Sequence, residues 1–222
     1  MFWIYFIAIM IVPIYAQMKV KSTYNKYSKV RSTSGMTGAQ VARRILDENG
    51  LYDVKVVRHE GFLSDHYNPL TKIVALSPDN YDHASVAGTA VAAHEVGHAI
   101  QDAESYAFLR FRHRMVPAVN FTSNASWLFI LGGLFFSSMP SLLWIGIVMM
   151  SVGVIFQLVT LPVEFNASSR AMDQVVQLGI IGTEEEPHAK KVLSAAAMTY
   201  VAAAAVAVLE LLRLVLIATN RD

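Results

Sequence analysis

The stretch His94-Glu95-Val96-Gly97-His98 restricts what this chain can fold into more than any other. On an α-helix, positions i and i+4 share a face, so both imidazoles can reach one ion. Glu95, one step round, can reach a water beside it. Neutral imidazole suits Zn²⁺ at about 2.0–2.1 Å, and three protein ligands would leave a fourth position open. The flanks agree with a helix. Ala84-Ser85-Val86-Ala87 opens a run to Asp102, and Thr89-Ala90-Val91-Ala92-Ala93 supplies an apolar lead-in, with Gly88 and Gly97 as the interruptions. Two core histidines that merely find hydrogen bonds are the alternative. They would leave Glu95 buried as an uncompensated charge, so the metal reading is preferred.

Composition says where such a site works. The chain is 54% apolar and 16% charged, too apolar for an ordinary soluble domain of 222 residues. A membrane protein is expected. Cysteine is absent, which excludes a disulfide framework and thiolate ligands, so His and carboxylate must hold the ion. A net charge of +1 gives no reason to expect a nucleic-acid partner.

From the N-terminus, residues 1–18 carry no charge, with Trp3 and Tyr5 near one end and Tyr15 near the other. A cleaved leader would want small residues at its cut, whereas Ile14-Tyr15-Ala16 includes a large one. The reading is an uncleaved anchor, at the short end of the ~17–25 residues a spanning helix needs, with aromatic interface markers. Residues 17–34 are polar and basic, with Lys19, Lys21, Lys26, Lys29 and Arg31. They read either as a surface arm near anionic headgroups or as a solvated linker. Thr37-Gly38-Ala39-Gln40 is a capping box for a helix through Glu48, stopped by Asn49-Gly50. Residues 54–57 and 63–67 read as short strands and 72–76 as a stronger one. Lying just before the metal helix, 72–76 is read either as an edge strand able to pair with extended substrate or as an ordinary sheet strand.

After Ala103 the basic residues Arg110, Arg112, His113 and Arg114 precede Pro117. Residues 121–138 and 142–161 then read as two spans joined by Met139-Pro140-Ser141 in a tight hairpin. Residues 162–170 head a helix that Gly179 ends. Thr183, followed by Glu184, Glu185 and Glu186, reads as the capped start of a last helix to Ala218. At 1.5 Å per residue that helix is roughly 50 Å long, against about 30 Å of bilayer core. Its first turns are therefore read as aqueous, and the rest as an Ala-rich span in which Glu210 and Arg213 pair. Gly132, Gly133, Gly146 and Gly153 are read as ordinary span glycines rather than as packing devices.

Basic residues set the orientation. Of 18 Lys and Arg, 13 fall in residues 17–120 and 3 in 162–194, which puts both polar segments in the cytoplasm and both termini outside. A two-span hairpin returns the chain to the side it left, so a residue just after Leu161 can meet His94 and His98. Glu164 stands there. A metzincin-type helix would place glycine and histidine three and six residues past His98, where this chain has Gln101 and Glu104. A thermolysin-type helix would place a carboxylate about twenty residues on, where Ala118 and its neighbours offer none. His66, His113 and His188 stay as weaker alternatives for the third ligand.

These features resemble the membrane zinc metallopeptidases of the YugP type, and more loosely the gluzincins of the HtpX and CAAX-prenyl-protease group. The resemblance runs over most of the chain. It is carried by the N-terminal span, Leu63-Ser64-Asp65-His66-Tyr67-Asn68-Pro69, the helix from Ala92 to Gln101, the hairpin, and Pro162-Val163-Glu164-Phe165. It implies a mainly α membrane protein of about four transmembrane helices with a small cytoplasmic α+β zincin-like catalytic domain. The expected parts are an anchor at 1–18, a catalytic domain at 19–120, a hairpin at 121–161, a ligand-bearing segment at 162–191 and a last span at 192–218. The implied activity is endopeptidase action on membrane or unfolded proteins at the cytoplasmic face of the plasma membrane, with His94, His98 and Glu164 on zinc and Glu95 as general base. Arg170, His66 and Tyr67 are the available oxyanion or substrate contacts. In the HtpX group an aspartate four residues past the glutamate orients a metal histidine. Ser168 stands at that step here, leaving Asp173 or a backbone carbonyl as the expected partner.

The implied partners are a peptide or protein substrate and the lipid bilayer, with self-association left open. The rival reading is a membrane scaffold or chaperone adaptor with a closed, structural zinc site. An intramembrane protease is disfavoured, because Asp82, His83 and Asp102 bracket the motif helix and charges in a bilayer cost a few kcal/mol each.

Overall fold

The computed structural model describes residues 2–136 and 139–220, and the side chains of 2–4 and 8 are outside that description. The Trp3 side chain, expected as an interface marker, Ser137 and Ser138 at the end of the expected span, and Arg221 therefore lie outside that description. The chain is mainly helical: α1 (Phe2–Tyr27), α2 (Gly38–Glu48), β1 (Lys55–Arg58), β2 (His66–Asn68), β3 (Ile73–Leu76), α3 (Pro78–Asp82), α4 (Val86–Ala103), α5 (Ala107–Phe135), α6 (Pro140–Gln177) and α7 (Glu186–Thr219). It divides into two compact units. Of the described residues, 16–106 and 163–199 form a polar unit, and 2–15, 107–136, 139–162 and 200–220 an apolar one. Residues 107–120, expected with the catalytic domain, belong to the apolar unit as the first turns of α5.

In the polar unit, α2 starts as its capping box dictates. The Thr37 hydroxyl accepts from Gln40 N while the Gln40 side chain accepts from Thr37 N, and Gly50, at φ +71°, ends the helix region. Val41, Ala42, Ile45 and Leu46, one face of α2, are fully buried. They share a core with Val86, Ala90, Ala93 and Val96 of α4 and with Val74 and Leu76 of β3. The sheet order is β1-β3-β2, with β3 parallel to β1 and antiparallel to β2. This corrects the edge-strand reading of 72–76. β3 is the central strand, its backbone already paired on both sides, as its unbroken apolar run Ile73-Val74-Ala75-Leu76 demands of a strand covered on both faces. The edges are β1 and β2.

The basic stretch 17–34 is not a free arm. It is helix as far as Tyr27, and the aromatic rings three apart, Tyr24 and Tyr27, are buried in the core. The Tyr24 hydroxyl donates to Asn80 Oδ1 at 2.8 Å. The last helix likewise starts later than expected, at Glu186 rather than Thr183. The Glu185 carboxylate explains the delay: it accepts from Gly182 N (3.0 Å), Thr33 N (2.9 Å) and Thr33 Oγ1 (2.5 Å), tying the turn to the loop after α1.

In the apolar unit, α5 and α6 approach at two glycines. A Cβ on Gly133 would meet Leu143 N at 2.3 Å, and one on Gly146 would meet Ile130 Cγ1 at 2.6 Å, so these two glycines are packing devices after all. Gly153 has open space around it. Ile130, Leu143, Ile147, Leu214 and Ala218 form the small core. Large apolar side chains on the same helices point outward, Phe121, Leu128, Phe135 and Val148 among them. Glu210 and Arg213 pair at 3.2 Å. Among the described residues, α6 and α7 are long and apolar enough to cross a membrane.

Candidate metal centre

α4 begins at the Ser85 cap, whose hydroxyl accepts from Gly88 N at 3.0 Å, and carries His94 and His98 one turn apart. α6 is a single helix running through Pro162 to Gln177. Glu164 therefore sits inside a continuous helix rather than at the head of a new one. Gly97 sets how closely the two helices meet. A Cβ there would lie 2.5 Å from the carbonyl oxygen of Ala167, so α4 and α6 touch backbone to backbone one turn past Glu164.

That approach brings one carboxylate oxygen to both histidines. Glu164 Oε2 is 3.3 Å from His94 Nε2 and 3.5 Å from His98 Nε2. The three ligand atoms all lie within 4.8 Å of one another, and the rings stand at 83° to each other. Ligands placed tetrahedrally about 2.0–2.1 Å from zinc would be roughly 3.3–3.4 Å apart. The two measured edges match that spacing, and two imidazoles with one carboxylate make a donor set that zinc accepts. The residues fit the ion.

Each histidine is steered from behind. His98 Nδ1 lies 3.0 Å from Gln101 Oε1. The Gln101 amide nitrogen donates to Val163 O (2.8 Å) and Asn166 Oδ1 (2.9 Å), which fixes which end of the amide faces the imidazole. An amide oxygen only accepts, so His98 donates from Nδ1, and in its neutral form that tautomer leaves Nε2 as the nitrogen able to take a metal. Arg170 Nε donates to the same Asn166 Oδ1 at 2.8 Å, and its guanidinium is 2.7 Å from Glu104. His94 Nδ1 is 3.2 Å from Ser168 Oγ. Ser168 therefore faces the histidine itself, one helical turn past Glu164, while Asp173 is exposed.

The electrostatics favour positive charge at the centre. Burial pushes the Glu164 carboxyl up, but hydrogen bonds from His94 and His98 and their charges outweigh it and hold the group far below the ordinary carboxylate range. Burial pushes His98 down, and its bond to Glu164 with the charges of Glu95 and Glu164 raises it overall. Glu95, buried on α4, is raised chiefly by burial; His94 and His98 pull it down, and Asp65 and Glu164 push it further up.

Among the described residues, His94, His98 and Glu164 form the metal-competent cluster, and none of His66, His113 or His188 belongs to it. His66 is exposed on the edge strand β2, its Nδ1 2.8 Å from Ser64 O. The Tyr67 hydroxyl donates to Asp102 at 2.9 Å. Arg170 is held by Asn166 and Glu104. Gln101 and Glu104 enter the sequence analysis only as departures from the metzincin pattern. Both in fact bond to α6, and their spacing of three and six from His98 was the available signal.

Paired imidazoles and a carboxylate beside a buried glutamate make a donor set of the kind zinc peptidases use. The chain belongs to the family described as "Putative neutral zinc metallopeptidase", whose sequence model matches residues 2–219. It is 54% identical over 206 residues to "Putative membrane protease YugP" of Bacillus subtilis (strain 168), covering 93% of this chain and 91% of that protein. No solved structure matches it significantly.

Proposed function

We propose that this protein is a membrane endopeptidase that hydrolyses peptide bonds of membrane or unfolded proteins at the cytoplasmic face. The observation that carries the proposal is the meeting of Glu164 Oε2 with both histidine Nε2 atoms in a chain of a zinc peptidase family. His94, His98 and Glu164 would hold the ion. Zinc, when bound, lowers the pKa of a coordinated water to about 7 and polarises a carbonyl. Glu95 takes the proton released on attack and delivers it to the leaving amine. Burial of Glu95 supports that role, because a carboxylate stripped of water gives and takes protons nearer neutral pH. Three protein ligands leave room for water, which favours catalysis over the closed, structural zinc of a scaffold.

His66, Tyr67 and Arg170 are the proposed oxyanion or substrate contacts. His66 and Tyr67 lie on β2, a strand with one edge unpaired within the sheet, so extended substrate is proposed to pair there rather than on β3. Four spans are proposed, adding 1–18 and the apolar part of α5 to α6 and α7. The outward Phe121, Leu128 and Phe135 of α5 support this, and the basic bias of the polar segments supports the cytoplasmic orientation.

The test is Glu95→Gln in purified protein, read by zinc content and by cleavage of an unfolded protein substrate. Full zinc with turnover reduced at least a thousandfold is expected. Residual wild-type cleavage would remove Glu95 from the chemistry, and a fourth protein ligand found by X-ray absorption would favour the scaffold.

A further inference from the structure

The polar unit also has an opening between α1 and α7. A cleft of about 470 Å³ is lined by Lys19, Lys26, Lys190 and Lys191 together with the hydroxyls of Ser22, Thr23 and Ser194. Positions 19, 22, 23 and 26 make one stripe of α1, and 191, 194, 195 and 198 one stripe of α7, each at the spacing of a single helix face. Among the described residues no carboxylate lines the cleft. Lys190 is paired with Glu186 at 2.6 Å, and Lys26 sits over the Tyr27 ring at 5.4 Å. Among the described residues no acid pairs with Lys19, Lys26 or Lys191.

Position along the helices narrows the ligand. Lys19 is the first charge of the chain, so α1 is uncharged up to the cleft. In α7 the residues from Ser194 to Leu209 carry no charge. Both helices thus change from apolar to basic at the level of this cleft, where an interface places lipid phosphates. We propose that the α1–α7 cleft is a binding site for the phosphate headgroup of an anionic phospholipid. Lysine ammonium groups neutralise the phosphate, and the serine and threonine hydroxyls hydrogen-bond its oxygens.

The site differs from general attraction of basic residues to an acidic surface, because Lys21 and Lys29, exposed on the same segment, do not line it. The proposal rests on the membrane reading but not on the zinc chemistry. The experiment uses full-length protein in neutral detergent, titrated by calorimetry with short-chain phosphatidylglycerol, short-chain phosphatidylcholine, or inorganic phosphate. Lys19→Gln/Lys26→Gln is compared with Lys21→Gln/Lys29→Gln, which removes equal charge, and zinc content checks folding. Phosphatidylglycerol should bind at least tenfold tighter than phosphatidylcholine, with inorganic phosphate failing to compete. That preference should fall at least tenfold in Lys19→Gln/Lys26→Gln and less than threefold in the control pair. Equal losses in both pairs, or no lipid preference, would overturn the site. Inorganic phosphate binding as tightly as the lipid would overturn the lipid assignment. Recovery of the protein in the soluble fraction without detergent would instead sink the membrane reading.

Discussion

Gly97→Ala tests whether the close approach of α4 and α6 builds the metal centre. The added Cβ would sit 2.5 Å from Ala167 O, against 3.4 Å for ordinary contact, so the helices must part by about 3.4 − 2.5 = 0.9 Å there. Alanine is a better helix former by about 1 kcal/mol, and overpacking of this kind costs roughly 1–3 kcal/mol. The net destabilisation is thus at most about 2 kcal/mol, and the domain stays folded. Zinc coordination is less forgiving, since ligand distances hold within about 0.2 Å. Glu164 lies three residues before Ala167 on the same helix and moves with it. We expect zinc affinity, measured by chelator competition, to fall at least about a hundredfold, some 2.7 kcal/mol, with helix content by circular dichroism unchanged. Gly153→Ala, where a Cβ meets nothing within 4 Å, should leave zinc affinity intact. A folded Gly97→Ala protein with wild-type zinc affinity would refute the reasoning.

Three further outcomes follow from the same geometry. Ser168→Ala removes the group facing His94 Nδ1 and should weaken zinc binding about 10–100-fold, whereas Ser168→Asp should restore or improve it in the same chelator titration. Zinc affinity should fall with decreasing pH as protons compete for the ligands; His98 is raised above its ordinary 6.5, so the fall should begin above pH 6.5. The Glu185 carboxyl is lowered from its ordinary 4.5, since bonds from Thr33 and Gly182 outweigh burial. Its stabilisation is complete above pH 4.5 and is lost as pH falls through the lower folded value. Glu185→Gln should cost about 1–3 kcal/mol at neutral pH and flatten the acid limb of thermal stability, as read by melting curves.

Sequence alone determined whatever local periodicity and short-range chemistry can encode. The helical spacing of His94 and His98, the Thr37/Gln40 capping box, the positive-φ stop at Gly50 and the strand-forming run of β3 all depend on neighbours within a turn or two. Glu164 could be nominated because hairpin topology constrains which side the chain returns to. Tertiary structure decided the rest. β3 is central rather than an edge because β1 and β2, up to eighteen residues before it, pair on both its sides. Ser168 became a partner of His94, and α6 fixed the Gln101 amide, only once Gly97 let two helices meet at backbone distance, Gly97 and Ala167 being 70 positions apart. The lysine cleft joins residues more than 160 positions apart. Contacts of that range leave no periodic trace in the sequence, because they depend on which helix faces pack, and that is settled by burial over a whole unit.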